Sequence, residues 1–226
     1  MPMMPYVSPE QAMKDKADFA RKGISRGRSV VAVTTQNGVL FVAENPSATL
    51  HKVSEIYDRI AFAAVGKYNE FEQLRVAGIR LADVKGYQYS REDVTGRALA
   101  NAYANALGSA FTDSPKPLEV ELLVAEVFED TVEMYHILYD GSITDQEGFV
   151  AIGGRADAIN EALKSSFEPE LDQETALRVT IAALQQVEER DMEPSRLEVA
   201  GLDRGLGRRK FFRLEDADVA TAVGAA

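Results

Sequence analysis

Two histidines, His51 and His136, are the chain's whole supply of imidazoles, and it has no cysteine. Neither histidine has carboxylates at the spacing of a metal site or of a Ser-His-Asp triad, so both chemistries are excluded as expectations. Without cysteine there is no thiolate nucleophile, thiolate metal site or disulfide framework. No metal and no cofactor is expected. His136 lies between Tyr135 and Ile137 on a predicted strand and reads as a satisfied structural residue. Gly153-Gly154, between a strand and a helix, could cradle a phosphate, but no Lys-Ser/Thr follows and a tight turn explains the pair. Arg208-Arg209-Lys210, the one basic run, reads as a solvated turn rather than a phosphate site, and Glu188-Glu189-Arg190-Asp191 as a solvated loop. Lys52, taken alone, is a solvent-facing lysine just ahead of Val53, Ile56 and Ile60.

The elements that must position these groups centre on residues 29–52. Val30-Val31-Ala32-Val33-Thr34-Thr35 is β-branched and largely apolar, as a strand buried on both faces must be. Gln36-Asn37-Gly38 supplies the Asn-Gly pair of a tight hairpin, and Val39-Leu40-Phe41-Val42-Ala43 returns. Pro46, which cannot donate to a ladder, ends that pairing after Glu44 and Asn45.

Before the hairpin, Ser8-Pro9-Glu10-Gln11 predicts a helix start, with Ser8 as cap, Pro9 in the first turn and Gln11 closing a capping box. Met13, Ala17, Ala20 and Ile24 fall on one face, and the helix is expected to run to about Gly27, tolerating Gly23. After it come strands at 53–57 and 60–65 and helices at 69–85 and 93–111. The helices are expected to bury Phe71, Leu74, Ala77, Gly78 and Leu81, and then Leu99, Tyr103, Ala106 and Leu107. Strands at 120–128, 133–139 and 149–152, helices at 156–166 and 175–188, and strands at 196–202 and 210–214 follow; the last ten residues read as weakly helical or frayed. Strand blocks apolar on both faces, alternating with helix pairs, imply two sheets face to face with helices outside. The expected fold is therefore α+β, a four-layer αββα sandwich with an additional N-terminal helix.

At 226 residues, 46% hydrophobic and 27% charged, one globular domain is expected, since no stretch reads as a linker. The net charge of −11 disfavours nucleic acid and anionic membranes as partners. No apolar run approaches a bilayer span. Met1-Pro2-Met3-Met4-Pro5-Tyr6 has neither the basic leader nor the apolar run of a signal peptide, so a cytoplasmic location is expected.

Ser8-Pro9-Glu10, Phe19-Ala20-Arg21-Lys22-Gly23, the hairpin with Asn37-Gly38-Val39, Lys52, Asp58-Arg59 and Asp140-Gly141-Ser142 follow one another in an order that resembles the α-type subunits of proteasomes, those of actinobacteria above all. The resemblance runs from Tyr6 to about Leu214. It implies the N-terminal nucleophile hydrolase type of αββα sandwich (residues 28–214), preceded by a flexible gate tail (1–8) and a helix (9–27) and followed by a C-terminal tail (215–226).

Catalytic members of that superfamily expose a threonine whose hydroxyl attacks while its own free amine relays the proton. Counting back from Asn37-Gly38-Val39, the nucleophile's place falls at Arg28, beside Ser29. Glu44 and Lys52 stand where the active members keep an acid and a lysine, and no Gly-Thr processing junction precedes the hairpin. The resemblance thus implies no catalytic residue. It implies a seven-membered ring of identical subunits stacked on catalytic β-type subunits, through which unfolded protein substrates pass. Tyr6, Ser8, Pro9 and Phe19 would belong to the gate. Lys52 would grip the C-terminal carboxylate of a ring-shaped ATPase activator. The alternative is a catalytically active, β-type threonine protease subunit of the same fold, released by processing at Ser29 or Thr34. A stand-alone hydrolase or binding module of this fold is a third reading.

Overall fold

Alternation with period two sends neighbouring side chains of a strand to opposite faces, so a strand apolar at both parities must find cover on both. The computed structural model, which describes residues 8–224, supplies that cover with four layers. One sheet takes β1 (Val30–Thr35), β2 (Gly38–Glu44), β8 (Phe149–Ile152), β9 (Leu197–Asp203) and β10 (Phe211–Arg213) in the order β10-β9-β2-β1-β8. The other takes β3 (Val53–Tyr57), β4 (Ile60–Gly66), β5 (Val120–Val127), β6 (Val132–Ile137) and β7 (Ile143–Gln146) in sequence order. All the pairings are antiparallel.

The two parities of each strand go to different cores. Val30, Ala32, Val39 and Phe41 meet Ala61, Ala63, Leu123 and Ala125 between the sheets. Their neighbours Val31, Val33, Leu40 and Val42 face outward onto Ile159 and Leu163 of α4 (Ala156–Lys164) and Leu177 and Ile181 of α5 (Gln173–Glu188). On the far side Ile60, Phe62, Leu122 and Val124 pack against Phe71 and Leu74 of α2 (Tyr68–Gln88) and Leu99 and Tyr103 of α3 (Gly96–Asp113). Each fully buried Leu, Ile or Phe contributes about 1.5–3 kcal/mol, so losing either helical layer would expose a whole sheet face.

α1 (Pro9–Ser25) is not part of either helical layer: Ala20 and Ile24 insert into the inter-sheet core, with Ala17 against its rim. Lys16 ties the helix to α3 by donating to the carbonyl of Phe111 at 3.0 Å.

Several expectations are corrected here. Gln11 does not close a capping box; its amide donates forward to Asp15 at 2.7 Å, leaving Ser8 Oγ to accept alone from the Gln11 backbone N–H. Met13 is exposed, because only the C-terminal half of α1 reaches the core. The helix stops at Ser25, two residues short of Gly27. In α2 the buried face is Phe71, Leu74, Gly78 and Ala82, while Ala77 and Leu81 are exposed. Ala106 of α3 is exposed as well, and that helix begins at Gly96 after a separate 3-10 turn over Arg91–Asp93. β7 is an additional strand whose polar Thr144-Asp145-Gln146 hides it from any apolar pattern; it lies at a sheet edge, where one side needs no partner. Past β10 the chain forms α6 (Asp216–Gly224), anchored by Val219 in the core under α5.

Candidate functional site

The turn that leaves α1 brings Arg28 to the start of β1, and the register of the first sheet places Val30 opposite Ala43, one residue before Glu44. Arg28 Nη1 lies 2.8 Å from Glu44 Oε1, an ion pair not aligned as a hydrogen bond. Glu44 is 3% exposed, and Arg190 Nη2 binds its other oxygen at 2.5 Å, so this buried carboxylate has a cation on each side.

The strand pair β2–β9 sets Ala43 opposite Glu198, the one charge within the apolar run 197–202. Glu198 accepts from the backbone N–H groups of Lys52 and Val53 at 2.9 and 3.1 Å, from Asn45 Nδ2 at 2.7 Å and from Arg213 Nη1 at 2.6 Å. His51 Nδ1 stands 3.4 Å away. This carboxylate fixes the chain at 52–53 and so aims the Lys52 side chain.

Lys52 does not face solvent. Its ammonium is part-buried and donates to the Arg28 carbonyl at 2.7 Å, its one hydrogen-bond acceptor among the described residues. Burial pushes its pKa down to about 8; Glu198 pulls it back up, the Arg28 charge lowers it, and Glu44 raises it more weakly. Near pH 7 the ammonium remains mostly charged while lacking a directly bonded carboxylate. Such a group can take up an incoming anion at little reorganisation cost.

Arg28, Glu44 and Lys52, the positions at which the resemblance sets nucleophile, acid and lysine, are therefore adjacent in space. The first of them is a guanidinium within a continuous peptide, locked to the second. The neighbouring hydroxyl, Ser29, is 3% exposed and committed, donating to the Gly153 carbonyl at 3.1 Å and accepting from the Arg155 N–H at 3.2 Å.

Gly153-Gly154 is a turn and not a cradle. Both residues have positive φ, 68° and 45°, and a Cβ on Gly154 would stand 2.5 Å from Ser29 Oγ. The Gly153 N–H is already spent on Glu121 Oε2 at 3.0 Å, and Glu121 also holds His136 Nε2 at 2.5 Å.

Three of the expected gate residues, Ser8, Pro9 and Phe19, lie at the start of α1 or along it. Ser8 caps the helix, with Oγ accepting from the Gln11 N–H at 3.2 Å, and Pro9 opens its first turn. Phe19 is half exposed, its ring under the Lys116 ammonium at 5.5 Å. Tyr6, with residues 1–7 as a whole, lies outside the described residues. What connects the two regions is the backbone: α1 ends at Ser25, the Gly27 N–H donates to Ile24 at 3.0 Å, and the next carbonyl is the one Lys52 holds.

Sequence reasoning missed Asn45, Arg190, Glu198 and Arg213. Only Glu198 left a signal, a lone carboxylate within the apolar run 197–202, which must either pair or stay costly.

Residues 24–202 match the model of a family described as proteasome subunit. A protein of Thermomonospora curvata named proteasome subunit alpha is 57% identical over 217 residues, covering 95% of this chain and 94% of its own length. Proteins of the same name from Thermobifida fusca and Xylanimonas cellulosilytica are 54% and 53% identical. They cover 95% and 100% of this chain, and 88% and 97% of their own lengths.

Proposed function

The chain belongs to the proteasome subunit family, and from that membership we propose that it is a non-catalytic α-type subunit of a 20S proteasome core. In this reading identical copies form a seven-membered ring on catalytic β-type subunits, working in the cytoplasm. The ring admits unfolded protein substrates, controls their entry through residues 1–8, and receives a ring-shaped ATPase through its C-terminal tails. The observation that supports the non-catalytic reading is the Arg28–Glu44 pair at 2.8 Å: in this reading position 28 is the nucleophile's place, and an arginine within the chain there neutralises the acid beside it. Nucleophilic catalysis of this type needs a hydroxyl and a free amine at that point, and Arg28 offers neither.

Lys52 supports the docking part. A tail carboxylate arriving at Lys52 would take up N–H donors that the ammonium has to spare beside the Arg28 carbonyl. A shift of the ammonium toward that carboxylate would act through the Arg28 carbonyl on the segment that follows α1, the route by which docking would reach the gate tail. An exposed ion pair is worth only about 0–1 kcal/mol, and a charged hydrogen bond in a desolvated pocket about 1.5–3 kcal/mol. One tail therefore binds weakly; several on one ring bind usefully through effective concentration.

The test is peptide and protein hydrolysis by particles reconstituted with a β-type partner. Removing residues 1–7 is expected to raise basal peptide turnover. Lys52→Ala is expected to leave assembly and basal turnover intact and to abolish stimulation by the ATPase. Stimulation of the Lys52→Ala particle at the wild-type level would overturn the docking role, and failure to co-assemble would overturn the α-type reading.

A further inference from the structure

At the end of the sandwich opposite Lys52, four connections converge on a cleft of about 570 Å³. They are the β3–β4 turn at Asp58-Arg59, the 3-10 turn at Arg91, the β5–β6 turn at Phe128-Glu129, and the β9–β10 loop carrying Arg204, Arg208 and Lys210. Two of the five cations lining it are neutralised in place. Arg91 holds both oxygens of Asp58, at 2.9 and 2.7 Å, and Arg59 Nε binds the fully buried Glu126 at 2.6 Å.

The other three are not. Arg204 donates Nε and Nη1 to the carbonyls of Phe128 and Gln36, at 2.9 and 2.7 Å, and Lys210 Nζ donates to the carbonyls of Arg204 and Leu206, at 2.7 and 2.6 Å. Carbonyls fix these cations without cancelling their charge, and each keeps N–H donors in reserve. Arg208 is 74% exposed and reaches only to 3.7 Å from Asp58, whose oxygens Arg91 already occupies. In a chain of net charge −11 this is a local excess of positive charge on a rigid frame. Two exposed carboxylates, Glu92 and Glu129, also line the cleft. They oppose an extended acidic polypeptide, whose charges would be spread along it, more than a compact anion held among the three cations.

We propose that the cleft between Arg204, Arg208 and Lys210 binds a compact oligophosphate, either free or as the phosphate chain of a nucleotide. The three cations line one cleft with donors to spare, and its volume matches that of small-ligand sites. This inference does not depend on the Arg28–Lys52 end.

The test is calorimetric titration of the full chain with sodium tripolyphosphate at fixed ionic strength. Arg208→Glu is expected to weaken binding by about tenfold or more, the loss of one charged hydrogen bond with a reversed charge. Because Arg208 is exposed, the variant is expected to fold. Arg178→Glu, on α5 away from the cleft, changes the net charge equally and is expected to leave the affinity within about twofold, since screening suppresses distant exposed charges. ATP binding at the same site, lost in Arg208→Glu, would assign the phosphate chain to a nucleotide; tripolyphosphate binding without ATP binding would assign it to the free anion. Absence of tripolyphosphate binding, equal weakening by Arg208→Glu and Arg178→Glu, or citrate binding as tightly would each overturn the proposal.

Discussion

The two ends of the sandwich handle charge in opposite ways. At the end closed by α1, Glu44 and Glu198 are buried and ringed by Arg28, Arg190, Arg213 and backbone N–H groups, and the nearby Lys52 ammonium is left with a carbonyl. At the hairpin end Glu126 is just as buried, but Glu92 and Glu129 are exposed, and Arg204 and Lys210 are fixed by carbonyls at the cleft. The difference comes from cover. α1 plugs one mouth of the inter-sheet core with Ala20 and Ile24, excludes water there and lowers the local dielectric; short turns alone frame the other mouth. Charges of similar number therefore act as a framework at one end and as an accessible field at the other.

Removing one partner of an ion pair at each end tests that contrast most severely. Glu198→Ala leaves Arg213, Asn45 and two backbone donors without their acceptor, and is expected to cost about 3–5 kcal/mol in denaturant unfolding. Arg91→Gln, at the hairpin end, removes an arginine that is half exposed and stacks on Tyr57 at 4.5 Å. It is expected to cost far less than Glu198→Ala, an effect that shrinks further as salt is added. Equal costs at the two ends would refute the difference in cover.

The pH dependence of stability sharpens the same point. Because burial holds the Lys52 pKa at about 8, below its ordinary 10.5, the unfolded chain binds more protons than the folded one between those values. Stability from this group accordingly rises with pH from about 8 to 10.5, by at most about 3 kcal/mol. In Lys52→Met that portion of the slope is expected to vanish, which paired unfolding titrations of wild type and variant would measure. Asp58 gives a slope of the same sign in a lower range: the Arg91 hydrogen bond holds its carboxyl below the usual range, so its stabilising contribution is present at neutral pH and disappears in acid.

Much of the architecture was legible before any coordinates, and the misses share a cause. The hairpin at Asn37-Gly38, the N-terminal helix behind Ser8-Pro9 and the two helix pairs follow from local pattern. β7 did not, because an edge strand with one residue type dominated by polarity carries no apolar period. Met13 and Leu81 were placed on buried faces by spacing alone, yet how far along a helix its cover extends is set by the neighbouring layer.

The site divides along the same line. Sequence alone determined that position 28 is an arginine and not a threonine, and that the strands need cover on both faces, because residue identity and period-two alternation are properties of neighbours along the chain. Only the tertiary structure decided that Arg190 would reach Glu44 across 146 positions, that Glu198 would grip the backbone at Lys52, and that Lys52 would turn inward to Arg28. Those partners are brought together by sheet register and by the plug of α1. The charges meet because the apolar packing leaves them no water to turn to.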